Sequence, residues 1–515
     1  MSSYDLVIRG GTLYDGTGAE GRRADVAVRG DRIAEVADAV AAPGATVVDA
    51  AGLAVAPGFL DVHTHDDFAA LLHPEMGFKV QGGVTTVVVG NCGMGAAPWA
   101  QACGYAAAFH PGRSLPAWDG YAGYLAQLDA APASCNVAAL VGHGAVRAAV
   151  LGGDARAPSD AELDAMRAIV REGIEAGCVG LSTGLIYEPG RHARSDEIAA
   201  LAGEARANGG LYATHMRDEG AGLLDSVREA IAIGERAGVP VQISHHKAAG
   251  RGSWGLVRDS LRLIDEARAR GVDVTADQYP YTAASTVLAA VVSYFERSET
   301  SDGHASRVGE PPSGGERGQK GGVGQGDARD VVLSSAPNNP AWEGRSIADL
   351  AAEWSVAPLD AARRVLDAEG IAATVVIHNM SEDDVRTVMR HPTTMIGSDG
   401  LPMLHGKPHP RLYGTFARVL GTYVREQGVL PLAEAIHRMT GLSARRFGLT
   451  DRGEVRAGAC ADLVVFDPAR IADVATYADP HHSPAGIARV FVNGTEVVRD
   501  GAHTGARPGR TLRKR

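Results

Sequence analysis

The sequence predicts an α/β protein that combines a (β/α)8 barrel of the TIM type with a small β-sandwich domain built from both chain ends. Three observations lead to this prediction. The chain has 515 residues, which suits a barrel of about 250 residues with insertions plus one smaller domain. Through the middle of the chain, apolar runs alternate with helical stretches rich in Ala, Arg and Glu. At both ends, short apolar runs alternate with turns instead.

The two end segments, residues 1–55 and 453–500, are expected to pair in the β-sandwich. The first contains DLVIRGG, ADVAVRGDRIAEV and ATVVDAAGLAVAPG, and the second contains ADLVVFDP and IARVFVNGTEVVRDG. Clusters of Gly, Asn and Asp between these runs are turn signals. Residues 56–452 then form the barrel as an insertion between the end segments, and residues 501–515 are a C-terminal tail.

Nearly continuous apolar runs in the middle of the chain are typical of strands buried on both faces of a parallel sheet. Nine such runs occur, at 56–62, 84–90, 136–143, 178–183, 210–215, 240–245, 273–279, 373–378 and 393–398. An eight-stranded barrel has one place too few for them. We therefore expect the run 373–378 to lie outside the barrel.

The segment 298–330 differs from its surroundings. Nine of its 33 residues are glycine, and Val308 and Val323 are its only β-branched aliphatic residues. Such a segment buries too little apolar surface to offset the entropy lost on ordering. We expect it to be a disordered insertion.

Composition excludes several classes of function. The formal net charge is −11, whereas affinity for nucleic acids depends on Lys and Arg that neutralise phosphates. The chain has neither a run of 18 apolar residues nor a signal-peptide pattern, so no membrane partner is expected. Five cysteines are an odd number for a disulfide framework, and reduced thiols in the cytoplasm are the expected state. The oligomeric state is left open.

Metal-competent side chains cluster at the carboxyl ends of the strand candidates. His63 and His65 lie in DVHTHDD after the first strand, where residues i and i+2 share one face and can reach one metal. His215 ends a later strand in LYATH, His245 ends the next in VQISH, and Asp399 follows the last strand in MIGSDG. In barrels, this is the face that carries the active site.

Cys92 follows the second strand in VVVGNCG. It is either a buried structural thiol, which is the commonest fate of a free cysteine, or a metal ligand. The other cysteines are assigned to the structural role; they are Cys103, Cys135, Cys178 and Cys460. His143 ends the third strand in VGHG and is a candidate pocket residue.

The ordered set DLVIRGGTLYDGTG, APGFLDVHTH, ATH, ISHH, SDG and ADLVVFDP is similar to the amidohydrolase superfamily. Within that superfamily, GVTTVVVGNCG, GLSTGLIYEPG, YATHMRDEG, QISHHK, DQYPYTAAST and HPRLYGTF resemble the N-acyl-D-amino-acid deacylase, or D-aminoacylase, branch. The resemblance runs over nearly the whole chain and fails mainly at 295–330.

This resemblance implies a zinc cofactor. A tightly bound zinc maps to Cys92, His215 and His245. A second and weaker position maps to His63 and His65, with Cys92 able to bridge. The proton shuttle of the family maps to Asp399, which lies beside the metal and is also counted among the metal-site residues.

The resemblance also implies a small-molecule substrate. Contacts to its α-carboxylate and amide map to Lys247, Tyr279, Ser285 and Arg411. For Arg411, a structural salt bridge is the alternative role. The implied activity is hydrolysis of the amide bond of N-acyl-D-amino acids.

Two other functions are considered. Hydantoinase-like and dihydroorotase-like members of the superfamily cleave cyclic amides and bridge two metals with a carboxylated lysine at the end of the fourth strand. Residues 178–190 contain no lysine, which argues against that reading. A scaffold that kept the fold and lost its metal is the third reading, and the complete set of ligand positions argues against it.

Overall fold

The computed structural model describes residues 4–292 and 328–514. Residues 298–327 of the Gly-rich segment, where the sequence predicts disorder, lie outside the described part of the chain. Within the described part, all nine apolar runs of the middle segment contain strands, and the fold is α/β.

Eight of these runs supply parallel strands of two sheets. The six-stranded sheet has the order Thr394–Ile396, Val274–Gln278, Val241–Ile243, Leu211–His215, Gly180–Gly184 and Val141–Gly142. The four-stranded sheet has the order Thr511–Leu512, Asn136–Ala139, Val84–Val89 and Phe59–Asp61. The two sheets meet at both sides, because Val179 N donates to Ala139 O and Asp399 N donates to His63 O. Consequently the carboxyl ends of the first and the eighth run lie side by side.

The ninth run lies outside these sheets, as the sequence predicts. Strand Thr374–Ile377 lies between Ala284–Val287 and Val331–Ser335 in a separate antiparallel sheet. These strands share their own apolar cluster with the helices Ile347–Trp354 and Pro358–Glu369. The chain therefore forms a small packed unit between its seventh and eighth parallel strands.

Strands from both chain ends form one nine-stranded sheet. They are Leu6–Leu13, Arg22–Arg29, Arg32–Ala37, Thr46–Asp49, Ala54–Pro57, Leu463–Phe466, Ile487–Val492, Thr495–Arg499 and Ala502–His503. The ends are joined where Ala54–Pro57 pairs antiparallel with Leu463–Phe466. Residues 501–515 contribute two short strands, one to this sheet and one beside Asn136–Ala139. The two-layered sandwich stays a prediction.

Most of the helices follow the parallel strands along the chain. The α-helices that lie wholly within the described residues are Ala69–Leu72, Gly77–Val80, Trp99–Phe109, Gly120–Ala130, His143–Leu151, Asp160–Ala176, Ser195–Ala202, Leu223–Ala237, Val257–Ala269, Ile347–Trp354, Pro358–Glu369, Glu382–Arg390, Arg411–Arg418, Leu432–Met439 and Gly441–Arg446. Short 3₁₀ helices span Gly190–His192, Gly203–Asn208, Arg251–Ser253, Pro340–Trp342 and Gly370–Ala372, and a π-helix spans Val419–Glu426.

Helix Asp160–Ala176 shows how the sequence determines where a helix begins and ends. Ser159 and Glu162 form a capping box at its start, and Gly177 ends it with a φ of 113°. Across residues 4–292 and 328–514, every helix is too short or too polar to span a bilayer.

Candidate metal centre and active site

His63 and His65 lie at the carboxyl end of the first parallel strand, and both are buried. Nε2 of His63 is 3.3 Å from Cys92 Sγ, and its Nδ1 is 3.1 Å from Asp277 Oδ1. Nε2 of His65 is 3.1 Å from Asp399 Oδ1. Side chains that are far apart in the sequence therefore meet in one buried cluster.

Two overlapping groups of donor atoms are spaced as a metal centre requires. Within each group the donors lie within 4.8 Å of one another; the groups are His63, Cys92, His245 and Asp399, and His215, Glu219 and His245. Thiolate sulfur and imidazole nitrogen are donors that zinc prefers. Both ring nitrogens of His215 are buried without a hydrogen-bond partner among the described residues, which is rare for an imidazole that binds nothing. These residues fit a zinc ion.

The electrostatic surroundings of Cys92 favour a thiolate. Burial alone would raise the pKa of this thiol, but the charges of His63 and His245 outweigh burial and hold the pKa well below its ordinary value. At the structural Cys135, burial raises the pKa of the thiol well above its ordinary value. Because the thiolate is the form that binds metals, Cys92 differs from Cys135 in the way a ligand requires.

Asp399 lies at the centre of the polar cluster. Its Oδ1 is 3.1 Å from His65 Nε2, and its Oδ2 is 2.9 Å from Arg411 Nη1. Burial would raise the pKa of this carboxyl, but Arg411, His245 and His63 hold it well below its usual range. Asp399 is therefore an ionised carboxylate placed among the metal-competent side chains, where it can accept a proton.

A pocket opens beside this cluster, and the residues predicted to contact substrate line it in part. The polar lining includes His215, Glu219, His245, Lys247, Tyr279, Ser285 and Asp399, and the apolar lining includes Ile186, Ala290, Val291 and Ile377. Nζ of Lys247 is 2.6 Å from Glu219 Oε1. The Oγ atom of Ser285 is buried with no hydrogen-bond partner in the described ranges, so it is available to a ligand.

Arg411 is buried behind the pocket wall and is 1% exposed. Its guanidinium stacks over the Tyr279 ring at 4.5 Å, and Nη2 donates to Ser285 O at 3.1 Å. The structure thus places Arg411 between Asp399 and two residues that line the pocket. The salt-bridge role considered for Arg411 has its partner in Asp399, and the substrate contact stays a prediction.

His143 lies apart from these groups. Its Nε2 is 3.0 Å from Glu197 Oε1, and Glu197 also pairs with the buried Arg147. None of these three side chains lines the pocket described above. A substrate contact by His143 stays a prediction.

Comparison with known proteins places this site in a family. A family model described as "Amidohydrolase family" matches residues 46–304 and 326–498. The chain belongs to the amidohydrolase family. Among curated relatives, the D-aminoacylase of Alcaligenes xylosoxydans xylosoxydans is 43% identical over 99% of this chain and 97% of its own length.

Solved structures of amidohydrolases agree with this assignment. An N-acyl-D-glutamate deacylase from Bordetella bronchiseptica, complexed with zinc and a phosphonate inhibitor that mimics the tetrahedral intermediate, is 40% identical with a TM-score of 0.86, and 99% of each chain is covered. A D-aminoacylase studied for its binuclear metal centre, with one-metal activation and second-metal attenuation, is 38% identical with a TM-score of 0.84, covering 99% of this chain and all of its own. The predicted resemblance to the D-aminoacylase branch of the amidohydrolases is confirmed.

Two buried carboxylates of this amidohydrolase site are not predicted from the sequence. Asp277 Oδ1 accepts a hydrogen bond from the His245 backbone N–H at 2.7 Å and contacts His63 Nδ1. The Oε1 atom of Glu219 is 2.9 Å from His245 Nδ1. A carboxylate on the far nitrogen of a ligating histidine sets the orientation of its ring.

A sequence signal existed for one of the two residues. Asp277 is near the end of its strand, as the recognised site residues are, and the same rule would have found it. Glu219 follows His215 by four residues in ATHMRDEG but lies beyond the strand end. Only the folded path of this loop brings Glu219 next to His245 and Lys247.

Proposed function

We propose that this protein is a zinc-dependent hydrolase that cleaves the amide bond of N-acyl-D-amino acids to a carboxylic acid and a free D-amino acid. The observation that carries the proposal is the buried group formed by Cys92, His63, His245 and Asp399 at the strand ends. The likeness to a D-aminoacylase and to a zinc-bound N-acyl-D-glutamate deacylase supports the same reaction.

In this proposal Cys92, His215 and His245 would hold one zinc tightly. His63 and His65, together with Cys92, would hold a second zinc more weakly. Three observations support the assignment: the ring nitrogens of His215, which make no hydrogen bond among the described residues, the lowered pKa of the Cys92 thiol, and the contacts of Cys92 Sγ with His63 and His245.

Asp399 is the proposed proton shuttle. Zinc supplies, when bound, a Lewis acid that acidifies water and stabilises negative charge on the acyl oxygen. Asp399 takes the proton of the attacking water and then gives it to the leaving nitrogen, so that the C–N bond breaks and the water oxygen stays on the acyl carbon. The ionised state of the Asp399 carboxyl suits it to accept the proton first.

The substrate carboxylate is proposed to bind at Arg411, Lys247, Tyr279 and Ser285. Nε of Arg411 and Oγ of Ser285 have no hydrogen-bond partner in the described part of the chain, so both have a donor to offer. Arginine also presents a planar fork that matches a carboxylate. When the carboxylate and the acyl group are both held, the side chain of an L-substrate would point to the side of the pocket that the Cα hydrogen of a D-substrate occupies, and it would clash with the wall there.

Replacing Arg411 by Lys is expected to raise KM about 10-fold or more with a smaller effect on kcat, because a charge-assisted hydrogen bond to the substrate is lost. Steady-state kinetics with one N-acetyl-D-amino acid measure this. Arg418→Lys is the matched control, since Arg418 ends the same helix, lies over the Tyr281 ring and pairs with Asp473. A fall in kcat with unchanged KM would mean that Arg411 acts only through its salt bridge with Asp399 and does not bind the substrate.

The reaction class is tested by free-amine release from matched N-acetyl-D- and N-acetyl-L-amino acids by the zinc-loaded protein. Met, Leu, Glu and Asp supply the side chains, and hydantoin and dihydroorotate test the cyclic-amide alternative. Turnover of D-substrates alone is the expected result, and the panel also reports the side-chain preference. Turnover of the cyclic amides alone would overturn the proposal.

We also propose that the eight parallel runs close into one TIM-like barrel, residues 56–452, and that the end segments form a sandwich domain. The backbone bonds Val179 N to Ala139 O and Asp399 N to His63 O support closure on both sides.

A cytoplasmic location is proposed from the cysteine composition, since the structure has five free cysteines.

A further inference from the structure

Lys79 is a charged side chain buried next to the strand ends that carry the site. It belongs to the helix Gly77–Val80 and is 1% exposed. Its Nζ atom lies 2.7 Å from Asp61 Oδ2, 2.9 Å from Ser398 Oγ and 3.3 Å from Asp66 Oδ2. Two of the three ammonium donors are thus hydrogen-bonded, to Asp61 and Ser398, and Asp66 adds an ion pair. Asp61 and Asp66 outweigh the effect of burial and raise the pKa of Lys79, so the group stays charged.

The partners of Lys79 hold the backbone on both sides of Asp399. Ser398 N donates to Asp61 Oδ1 at 2.7 Å, and Gly400 N donates to Ser398 Oγ at 3.1 Å. Between them, Asp399 N donates to His63 O at 2.7 Å. Three consecutive amides are therefore anchored, and two of the acceptors are side chains that Lys79 contacts directly.

This anchoring matters because the backbone of Asp399 is in the left-handed region, with a φ of 50°. A non-glycine residue holds that conformation only where its surroundings over-determine it. Asp61 also lies two residues before His63 and accepts a hydrogen bond from His63 N at 3.4 Å. One buried ammonium thus connects the loop of the first metal-competent histidines to the loop of the carboxylate.

We propose that Lys79 is a positioning residue, which acts through Asp61 and Ser398 to fix the Asp399 carboxylate relative to His63 and His65. The inference rests on the proposed function for its kinetic consequence, although the positioning itself is a property of the structure. Lys79 does not line the pocket and is not one of the proposed ligands of the tight zinc. Its removal therefore lowers kcat while leaving KM and tight zinc binding in place.

Two variants test the proposal. Ser398→Ala removes the hydroxyl that joins Lys79 to the amide of Gly400, and Lys79→Met removes the ammonium itself. For zinc-loaded Ser398→Ala we expect kcat to fall about 10- to 100-fold with KM within about twofold of wild type and one tight zinc retained. Lys79→Met is expected to show the same split where it folds.

Arg452→Met is the matched control, since Arg452 and Asp462 form a buried ion pair at the terminal sheet, with both side chains 4% exposed. This variant should lose thermal stability and keep its kcat per zinc-loaded chain. Crystal structures of the variants test the positioning independently of turnover. We expect the Asp399 carboxylate to move away from His65 in Ser398→Ala and to keep its position in Arg452→Met.

The two proposals fail in different ways. A wild-type protein that is inactive on every D-substrate overturns the proposed function, and the crystal structures still decide the positioning role. An unchanged kcat with an unmoved Asp399 in Ser398→Ala overturns the positioning role, and the wild-type panel still decides the function.

Discussion

Replacing Asp399 by Asn is expected to lower kcat by roughly 10²- to 10⁴-fold while the tight zinc stays bound. An amide is close in size to a carboxylate, so the pocket keeps its shape. The amide of Asn cannot, however, accept the proton of water or return it to the leaving nitrogen. The measurement is amine release from an N-acetyl-D-amino acid by the zinc-loaded variant, together with its zinc content.

The structure explains why Asp399 is the group expected to have so large an effect. Arg411, His63 and His245 hold its carboxyl ionised, and the His65 ring lies within hydrogen-bond distance. The backbone around it is anchored at three consecutive amides. A carboxylate that is ionised and fixed in position is ready to act as a base without rearrangement.

Asp25→Asn is the matched control for Asp399→Asn. Asp25 is 4% exposed and accepts hydrogen bonds from Gly10 N and Val40 N in the terminal sheet. It should change stability and leave kcat unaltered. Near-normal turnover by Asp399→Asn would remove Asp399 from the proposed chemistry.

Replacing Cys92 by Ser is expected to abolish tight zinc binding, with zinc affinity falling by more than about 100-fold and activity falling with it. Changes to residues that only orient a ligand cost about 10- to 100-fold in metal affinity, and the loss of a direct ligand costs more. A serine hydroxyl is a poor substitute, since it stays protonated where the Cys92 thiol ionises. Zinc content after dialysis against a weak chelator measures the effect.

Cys135→Ser separates the ligand role from the mere presence of a buried thiol. Cys135 is 1% exposed, and Val84 O lies 3.5 Å from its Sγ, so a hydroxyl finds an acceptor there. This control should retain zinc and activity. Tight zinc in Cys92→Ser equal to that of wild type would contradict the proposed ligand set.

The amino-acid sequence was sufficient to predict the α/β class, the nine strand runs and the residues grouped at the strand ends. The physical reason is local. Apolar runs of strand length mark buried parallel strands, and the carboxyl ends of parallel strands share one edge. His63, Cys92, His245 and Asp399 follow four different strands, so this rule alone brought them together. The order of the motifs also identified the amidohydrolase family.

Tertiary structure alone decided which groups face one another inside that cluster. Arg411 meets Asp399 as well as the pocket wall, Glu219 meets His245 and Lys247, and His143 meets Glu197. Lys79 is the clearest example, because its contact with Ser398 joins residues 319 positions apart. No periodicity or spacing reports such a pair. The partners of a buried charge are the groups that tertiary packing brings within about 3 Å of it. They are therefore determined only when the strands have assembled.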